Sequence, residues 1–271
     1  MRGGSTLLTG CALLGMLAAQ SASAQETLVS PFEEYFRLSA GLLSASSETK
    51  LRLDADDGTP GTVVSGEDDL GLRDQSEMGD VEIELRIRER HRLRLNYFRI
   101  DRRASQTIDR DIQFGDDLFN AGDQVESQLD WREFSITYGY TFVRHERFEI
   151  YGTFGLHLTE VSAAGEVDAD DIREEEQGTF PIPAIGAGTL IRISDRFHFE
   201  ARADYLQVSY EDIEGTLLDL RGSVVYRFNR NLALGGAYVL TQREATSEET
   251  GDSGLFDLRH SGPELFLRVT F

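Results

Sequence analysis

The stretch Val81-Glu82-Ile83-Glu84-Leu85-Arg86-Ile87-Arg88 decides the fold. Successive side chains of an extended chain point to opposite faces, so Val81, Ile83, Leu85 and Ile87 share one side and Glu82, Glu84, Arg86 and Arg88 the other. A strand divided in this way needs an apolar medium against one face and a polar medium against the other. After the charged break from Glu89 to His91, Leu93 and Leu95 alternate with Arg92, Arg94 and Asn96, as the partner in a tightly turned hairpin does.

The period recurs down the chain. Phe134, Ile136, Tyr138, Tyr140 and Phe142 alternate with Ser135, Thr137, Gly139 and Thr141, and Ile150, Phe154, Leu156 and Leu158 with Glu149, Tyr151, Thr153 and His157. Farther on, Phe197, Phe199, Ala201, Ala203 and Tyr205 face away from His198, Glu200, Arg202 and Asp204, and Leu218, Leu220, Val224 and Tyr226 away from Asp219, Arg221, Ser223 and Arg227. Residues 231–243 and 256–271 fit the same template. Residues 34–46 show an apolar face in Phe36, Leu38, Ala40 and Leu42, while 177–193, with Pro181 and Pro183, show a poorly resolved one. This predicts an all-β chain of about ten strands, eight to twelve being compatible with the pattern, and an even number puts both ends on one side of a membrane.

Composition agrees with a membrane wall built of strands. A mean hydropathy of −0.33 is too polar for a bundle of membrane helices, and 40% hydrophobic residues are too many for a disordered polymer. Strands that are apolar on alternate residues satisfy both figures. A net charge of −21, from 48 acids and 27 bases, repels phosphate backbones and excludes a nucleic-acid binder. The single cysteine, Cys11, can form neither an internal disulfide nor a thiolate cluster.

Arg2, the apolar run Leu7 to Ala19 and the small-residue site Ala22-Ser23-Ala24 predict a secretory signal peptide over 1–24. The run Leu8-Thr9-Gly10-Cys11 superficially resembles a lipoprotein signal, but cutting there would strand the apolar residues Ala12 to Ala19 in the mature chain. Residues 25–33 are then a short periplasmic segment and 34–271 the barrel. Its connections alternate between short turns near 89–91, 144–146, 194–196 and 229–231 and long loops near 54–80, 104–127, 164–177 and 244–257, with one brief link near 211–213.

With its signal peptide, its paired amphipathic strands and its closing Glu264-Leu-Phe-Leu-Arg-Val-Thr-Phe271, the chain resembles Gram-negative outer-membrane β-barrel proteins. Asp68-Asp69-Leu70-Gly71-Leu72, His91-Arg-Leu-Arg-Leu-Asn-Tyr-Phe98 and Gly115-Asp116 are similar to a group of small proteobacterial barrels. The likeness implies an up-and-down transmembrane barrel in the cell outer membrane, in contact with lipid and lipopolysaccharide. It also implies an assembly signal in Leu265, Leu267, Val269 and Phe271, read by the outer-membrane assembly machinery. The likeness carries over no catalytic residue. The strand number also resembles that of the omptin proteases, without a motif to transfer.

The four long loops hold 27 acids against the bases Arg73, Arg110 and Arg173. A solvated, repulsive face explains them, and weak Ca²⁺ or Mg²⁺ sites at Asp68, Asp69, Asp170, Asp171, Glu174 and Glu175 are the sharper expectation. No other cofactor is implied. On the inward face Glu82, Glu84, Glu149, Glu200, Asp204, Asp219 and Glu264 nearly balance Arg86, Arg88, Arg92, Arg94, Arg202, Arg221, Arg227 and Arg268. Ten strands spaced ~4.8 Å apart and tilted ~40° enclose a bore of roughly 20 Å between backbones, which long side chains can fill. Pairs are expected between neighbouring strands, with Glu82 and Glu84 beside Arg92 and Arg94. His91, His145 and His198 are expected at the periplasmic rim, and His157 and His260 inside, on strands too far apart to pair directly. The leading expectation is a non-enzymatic surface barrel with a filled lumen. A narrow channel for small or cationic solutes comes second, and an outer-membrane hydrolase third.

The carboxyl-terminal pattern makes a direct expectation. Removing Phe271 lowers the amount of folded, heat-modifiable protein in the outer membrane, measured by fractionation and gel migration without boiling; an undiminished level would show that the terminal aromatic is dispensable.

Overall fold

In the computed structural model the described residues are 28, 30–167, 172–210, 213–248 and 253–271. Ten long antiparallel strands make up the wall: β1 (Phe36–Leu53), β3 (Gln75–Ile87), β4 (His91–Thr107), β7 (Gln124–Arg144), β8 (Phe148–Val167), β9 (Ile172–Arg192), β10 (Phe197–Tyr210), β11 (Ile213–Arg227), β12 (Leu232–Ser247) and β13 (Gly254–Thr270). Each pairs with the next in sequence, and β13 returns to β1 to close the ring. A two-residue strand, β2 (Val64–Ser65), adds to β1, and β5 (Ile112–Phe114) with β6 (Asp117–Phe119) forms a small hairpin in the second loop.

The last residue completes the closure. The Phe271 N–H donates to Phe36 O at 3.0 Å, and Phe271 O accepts from Tyr35 N at 3.0 Å. The Phe271 and Phe36 rings lie 6.0 Å apart, within a girdle of aromatics at the short-turn end that includes Tyr138, Tyr140, Phe142, Tyr226 and Phe228. Leu265 and Leu267 face outward and are exposed, as the alternation requires.

All four long loops are shorter than the sequence pattern suggests, the last two most of all. The expected loop 164–177 is largely strand, since β8 runs to Val167 and β9 resumes at Ile172, and 244–257 narrows to the link between Ser247 and Gly254. Beyond the membrane both faces of a strand can carry polar residues, so hydrogen-bonded ladder continues where the hydrophobic period has vanished. The expected signal peptide and most of residues 25–33 lie outside the described residues. Pro31, Phe32 and Glu34 fold into the short-turn mouth of the barrel and are buried there.

Up the wall, the alternation changes sign without changing frame. In β4 the outward positions pass from Leu93, Leu95 and Tyr97 to Arg99, Asp101 and Arg103, while the inward positions pass from Arg92 and Arg94 to Phe98 and Ile100. In β7 the outward Tyr138, Ile136 and Phe134 give way to Arg132 and Asp130, and the inward Glu133 is followed by Trp131 and Leu129. A buried cluster of Leu43, Ala45, Met78, Ile100, Trp131 and Leu258, with Phe98 and Phe256 against it, therefore fills the upper lumen. The Trp131 ring stacks on Phe256 at 5.3 Å. A second cluster of Val64, Ile108, Ile112, Phe119 and Val125 closes the top beneath the first two loops.

Candidate functional site in the barrel lumen

Below the apolar layer the lumen is a lattice of ion pairs. Glu149 is fully buried and accepts from Arg86 through both oxygens at 3.0 Å and from Arg92 at 2.9 Å. Arg86 and Arg92 are directly opposed in the β3–β4 ladder, a like-charge pair that is destabilising unless an acid lies between. Arg202 and Arg221 oppose each other in β10–β11, and so do Asp204 and Asp219. Acids and bases from other strands resolve these conflicts. Arg202 bonds Glu82, Arg221 bonds Glu264 with its second contact at 2.8 Å, and Arg94 reaches Asp204 at 3.0 Å.

Glu200 accepts from Arg268 at 2.7 and 3.0 Å and from Arg37 at 3.3 Å, and Arg37 also holds Glu34 at 2.7 Å and Glu84 at 3.3 Å. Arg227 meets Glu34 at 3.2 Å, tying the amino-terminal segment into the mouth. Arg243 bridges Glu133 at 2.9 Å and Asp219 at 2.8 Å, and His157 Nδ1 lies 2.7 Å from Glu133. Packing supports the lattice: the Arg92 guanidinium lies 3.7 Å from the Tyr151 ring centre, and Phe266 sits between Arg221 and Arg268. A Cβ on Gly235 would fall 2.1 Å from the Phe266 ring, which is why that strand position is glycine.

All the anticipated inward charges except one come together here. Arg88 is exposed, because β3 ends at Ile87 and Arg88 takes a φ of 61° in the turn. Partners also differ from the neighbouring-strand expectation. Arg94 bonds Asp204 across the lumen, and Glu84 lies 3.9 Å from Arg92 but closer to Arg37. In so narrow a bore the long side chains converge on the axis, where opposite walls are within reach. Glu34, Arg37, Glu133 and Arg243 join the network unanticipated; Glu133 sits one residue beyond a recognised alternating stretch, and the other three lie within stretches recognised by their apolar face.

His198, the second residue of β10 beside the short turn, is 1% exposed rather than open at the rim; its Nε2 lies 3.3 Å from Glu200. His157 and His260 are both buried and line one cavity of about 80 Å³ together with Glu133, Ser135, Asp204 and Asp219. Donor atoms of Glu133, His157 and Asp219 lie within 4.8 Å of one another, a spacing that suits a metal ion. The Arg243 guanidinium already spans the two carboxylates and supplies the positive charge there.

In the outer loops, Asp69 accepts from Arg110 at 2.8 and 3.1 Å and from Ser65 N at 2.7 Å. Burial opposes its charge, but these bonds hold its pKa below the usual aspartate value. That stabilisation is present above the ordinary aspartate range and is lost as pH falls through the lowered value. Glu67 turns inward to Arg102 and Thr49, and Asp68 is exposed. Asp170 and Asp171 lie outside the described residues, and the backbone of Glu174 and Glu175 belongs to β9.

Residues 9–228 match the sequence profile of the outer membrane protein beta-barrel domain. The chain belongs to that family. It is a protein of the Gram-negative outer membrane. Among solved structures, the outer membrane protease OmpT from Escherichia coli aligns with 92% of this chain and 100% of its own at 12% identity, with a TM-score of 0.53. That likeness is one of fold. The attachment invasion locus protein Ail of Yersinia pestis covers 86% of this chain and 99% of its own at 13% identity and a TM-score of 0.35. A FadL homologue of Pseudomonas aeruginosa covers 88% of this chain and 90% of its own at 9% identity and a TM-score of 0.36. No curated protein sequence matches the chain.

Glu149 offers the sharpest test of the lattice. Glu149→Gln removes the carboxylate shared by Arg86 and Arg92, leaving only Glu84 at 3.9 Å from Arg92, which costs about 3–5 kcal/mol for a broken buried pair. Urea unfolding in lipid vesicles is expected to shift accordingly, while Glu48→Gln, which breaks the exposed pair with Lys50, leaves the midpoint unchanged.

Proposed function

We propose that this protein is a non-enzymatic barrel of the cell surface, structural or adhesive in role, whose lumen does not conduct along its axis. The observation that carries this reading is the succession of closures: the inserted amino-terminal segment, the ion-pair lattice, the Trp131 layer and the loop-capped cluster. An ion passing along the axis would meet an apolar layer directly after a set of charges already paired, and both are barriers. In a planar bilayer the wild-type protein is expected to show little steady current. Trp131→Ala, or Arg92→Ala with Arg94→Ala, either raises the current or lowers the unfolding midpoint. Large, stable wild-type currents would overturn the closed lumen in favour of a solute channel.

The outer loops add a second element to this reading. Their surplus of acids attracts Ca²⁺ or Mg²⁺ through hard oxygen ligands, and such ions would link the loops to phosphates of neighbouring lipopolysaccharide. Calorimetry with Ca²⁺ on refolded protein is expected to detect weak binding that falls when Asp68 and Glu174 to Glu176 are neutralised. No heat at millimolar Ca²⁺ would leave the loops as a solvated face.

A hydrolase is favoured by one observation only. Ser135 lies directly opposite His157 in the β7–β8 ladder, and His157 is held by Glu133. The same Glu133 is engaged by Arg243, and the cavity in front has room for only a handful of waters.

A further inference from the structure

Between β9 and β10 the backbone ladder stops short. Their pairing runs from His198 and Arg192 to Tyr205 and Ile185 and, among the described residues, goes no farther. Yet β9 stays in register with β8 through Ala184, Pro183, Ile182 and Pro181, and β10 stays in register with β11 through Leu206 to Ser209. Both strands are regular here, and they share no ladder.

The prolines explain the gap. A proline brings no N–H to a sheet and is tolerated only where no ladder needs one. The ladder to β8 continues through both residues, so the edge they spoil is the one toward β10. Pro263 shows the milder case, where β1–β13 pairing passes from Leu43 and Glu264 to Ser46 and Ser261 and then resumes. Two prolines on alternate residues leave no ladder to β10 along Pro181 to Ala184.

Side-chain exposure agrees with the missing ladder. Val208 has the inward parity of Glu200, Arg202 and Asp204, but it is 41% exposed. The height of the seam is fixed by the ladder. Ile185, Pro183 and Pro181 lie opposite Phe154, Leu156 and Leu158 at the top of the apolar belt, and Glu160 begins the polar wall above. On the other lip the outward residues Gln207 and Ser209 face Thr216 and Glu214, so this side is already polar. One lip suits hydrocarbon and the other suits headgroups. Behind the seam, Ile182 is the register partner of His157, and both His157 and Asp204 line the luminal cavity. Buried there, His157 Nε2 and His260 Nδ1 have no hydrogen-bond partner.

We propose that this seam is a lateral portal for an acylated outer-leaflet lipid. The acyl chain lies along Pro181, Pro183 and Ile185, and the polar linkage of the lipid turns inward toward His157 and Asp204. Unpaired backbone at this depth is costly in hydrocarbon, and a lipid's ester and headgroup oxygens satisfy exposed N–H groups that acyl chains cannot. A strand from a second copy would find two donors missing on the β9 edge. The portal is lateral and the lumen's closure is axial, so either reading can fail without the other.

The test places a bimane label on Val208→Cys in a Cys11→Ser background, refolded into phosphatidylcholine vesicles that contain chain-brominated lipid. Labels on Leu156→Cys, in the outward belt, and Asp257→Cys, on the polar outer wall, are the references. Quenching at Val208 comparable to Leu156 and several-fold above Asp257 is expected; quenching no greater than at Asp257 would show a sealed wall and overturn the portal. Independently, benzoylphenylalanine at position 208 in cells is expected to form adducts with phospholipid or with lipid A, and their masses tell these two sources apart. Adducts confined to residues 180–184 of the same chain, or to a second copy, would reject a lipid occupant.

Discussion

Closure at ten strands fixes a bore of roughly 20 Å, and most of the interior follows from that width. Arginine and glutamate side chains rooted on opposite walls meet near the axis and pair there. A single carboxylate then serves several guanidinium groups, as Glu149 does for Arg86 and Arg92 and Glu200 for Arg268 and Arg37. Like charges adjacent along the sheet are tolerated because their partners come from across the ring. The lattice therefore ties strands that are not neighbours, β3 to β8 and β4 to β10, and supplies radial links where the backbone ladder supplies only circumferential ones.

The wall meets two different surroundings with one frame. Near the short turns the outside is apolar and the inside charged; near the loops the outside is charged and the inside largely apolar, with the Arg102–Glu67 pair as its charged exception. No bulge is needed for the exchange, because the strands keep their pleat and only the residue types trade places, as β4 does between Tyr97 and Arg99 and β7 between Phe134 and Arg132. The level of that exchange marks the outer edge of the membrane within the sequence itself, and the Trp131 cluster is what a water-soluble barrel would place at the same height.

The strand count and the inward charges were legible because a period of two survives wherever one face touches lipid. What lay above the lipid was not. Search for apolar-out, polar-in alternation stops at Phe134, one residue short of Glu133, while Arg243 closes the recognised stretch 231–243 without being singled out as an inward charge. It also passes over Arg37, which lies opposite the recognised Leu38. Trp131, Ile100 and Leu258 alternate just as strictly with the opposite sense, and were hidden by that inversion rather than by any lack of pattern. Arg88 shows the converse error, since its parity is right and only the positive φ of the turn removes it from the lumen. Cross-lumen partners such as Arg94 with Asp204 are separated by more than a hundred residues, and no local rule can name them.

Strand length has a mechanical consequence. The 21 residues of β7, at about 3.3 Å each and a tilt of ~40°, stand roughly 50 Å tall, about twice the height of the apolar band that lipid covers. On its β7 to β9 side the barrel thus rises well above the bilayer as ladder continuous with its anchor, while β3 and β10, at 13 and 14 residues, end lower. A contact made by the second loop, which β4 and β7 carry, would transmit force through that ladder into the ring of strands instead of being absorbed by a flexible stalk.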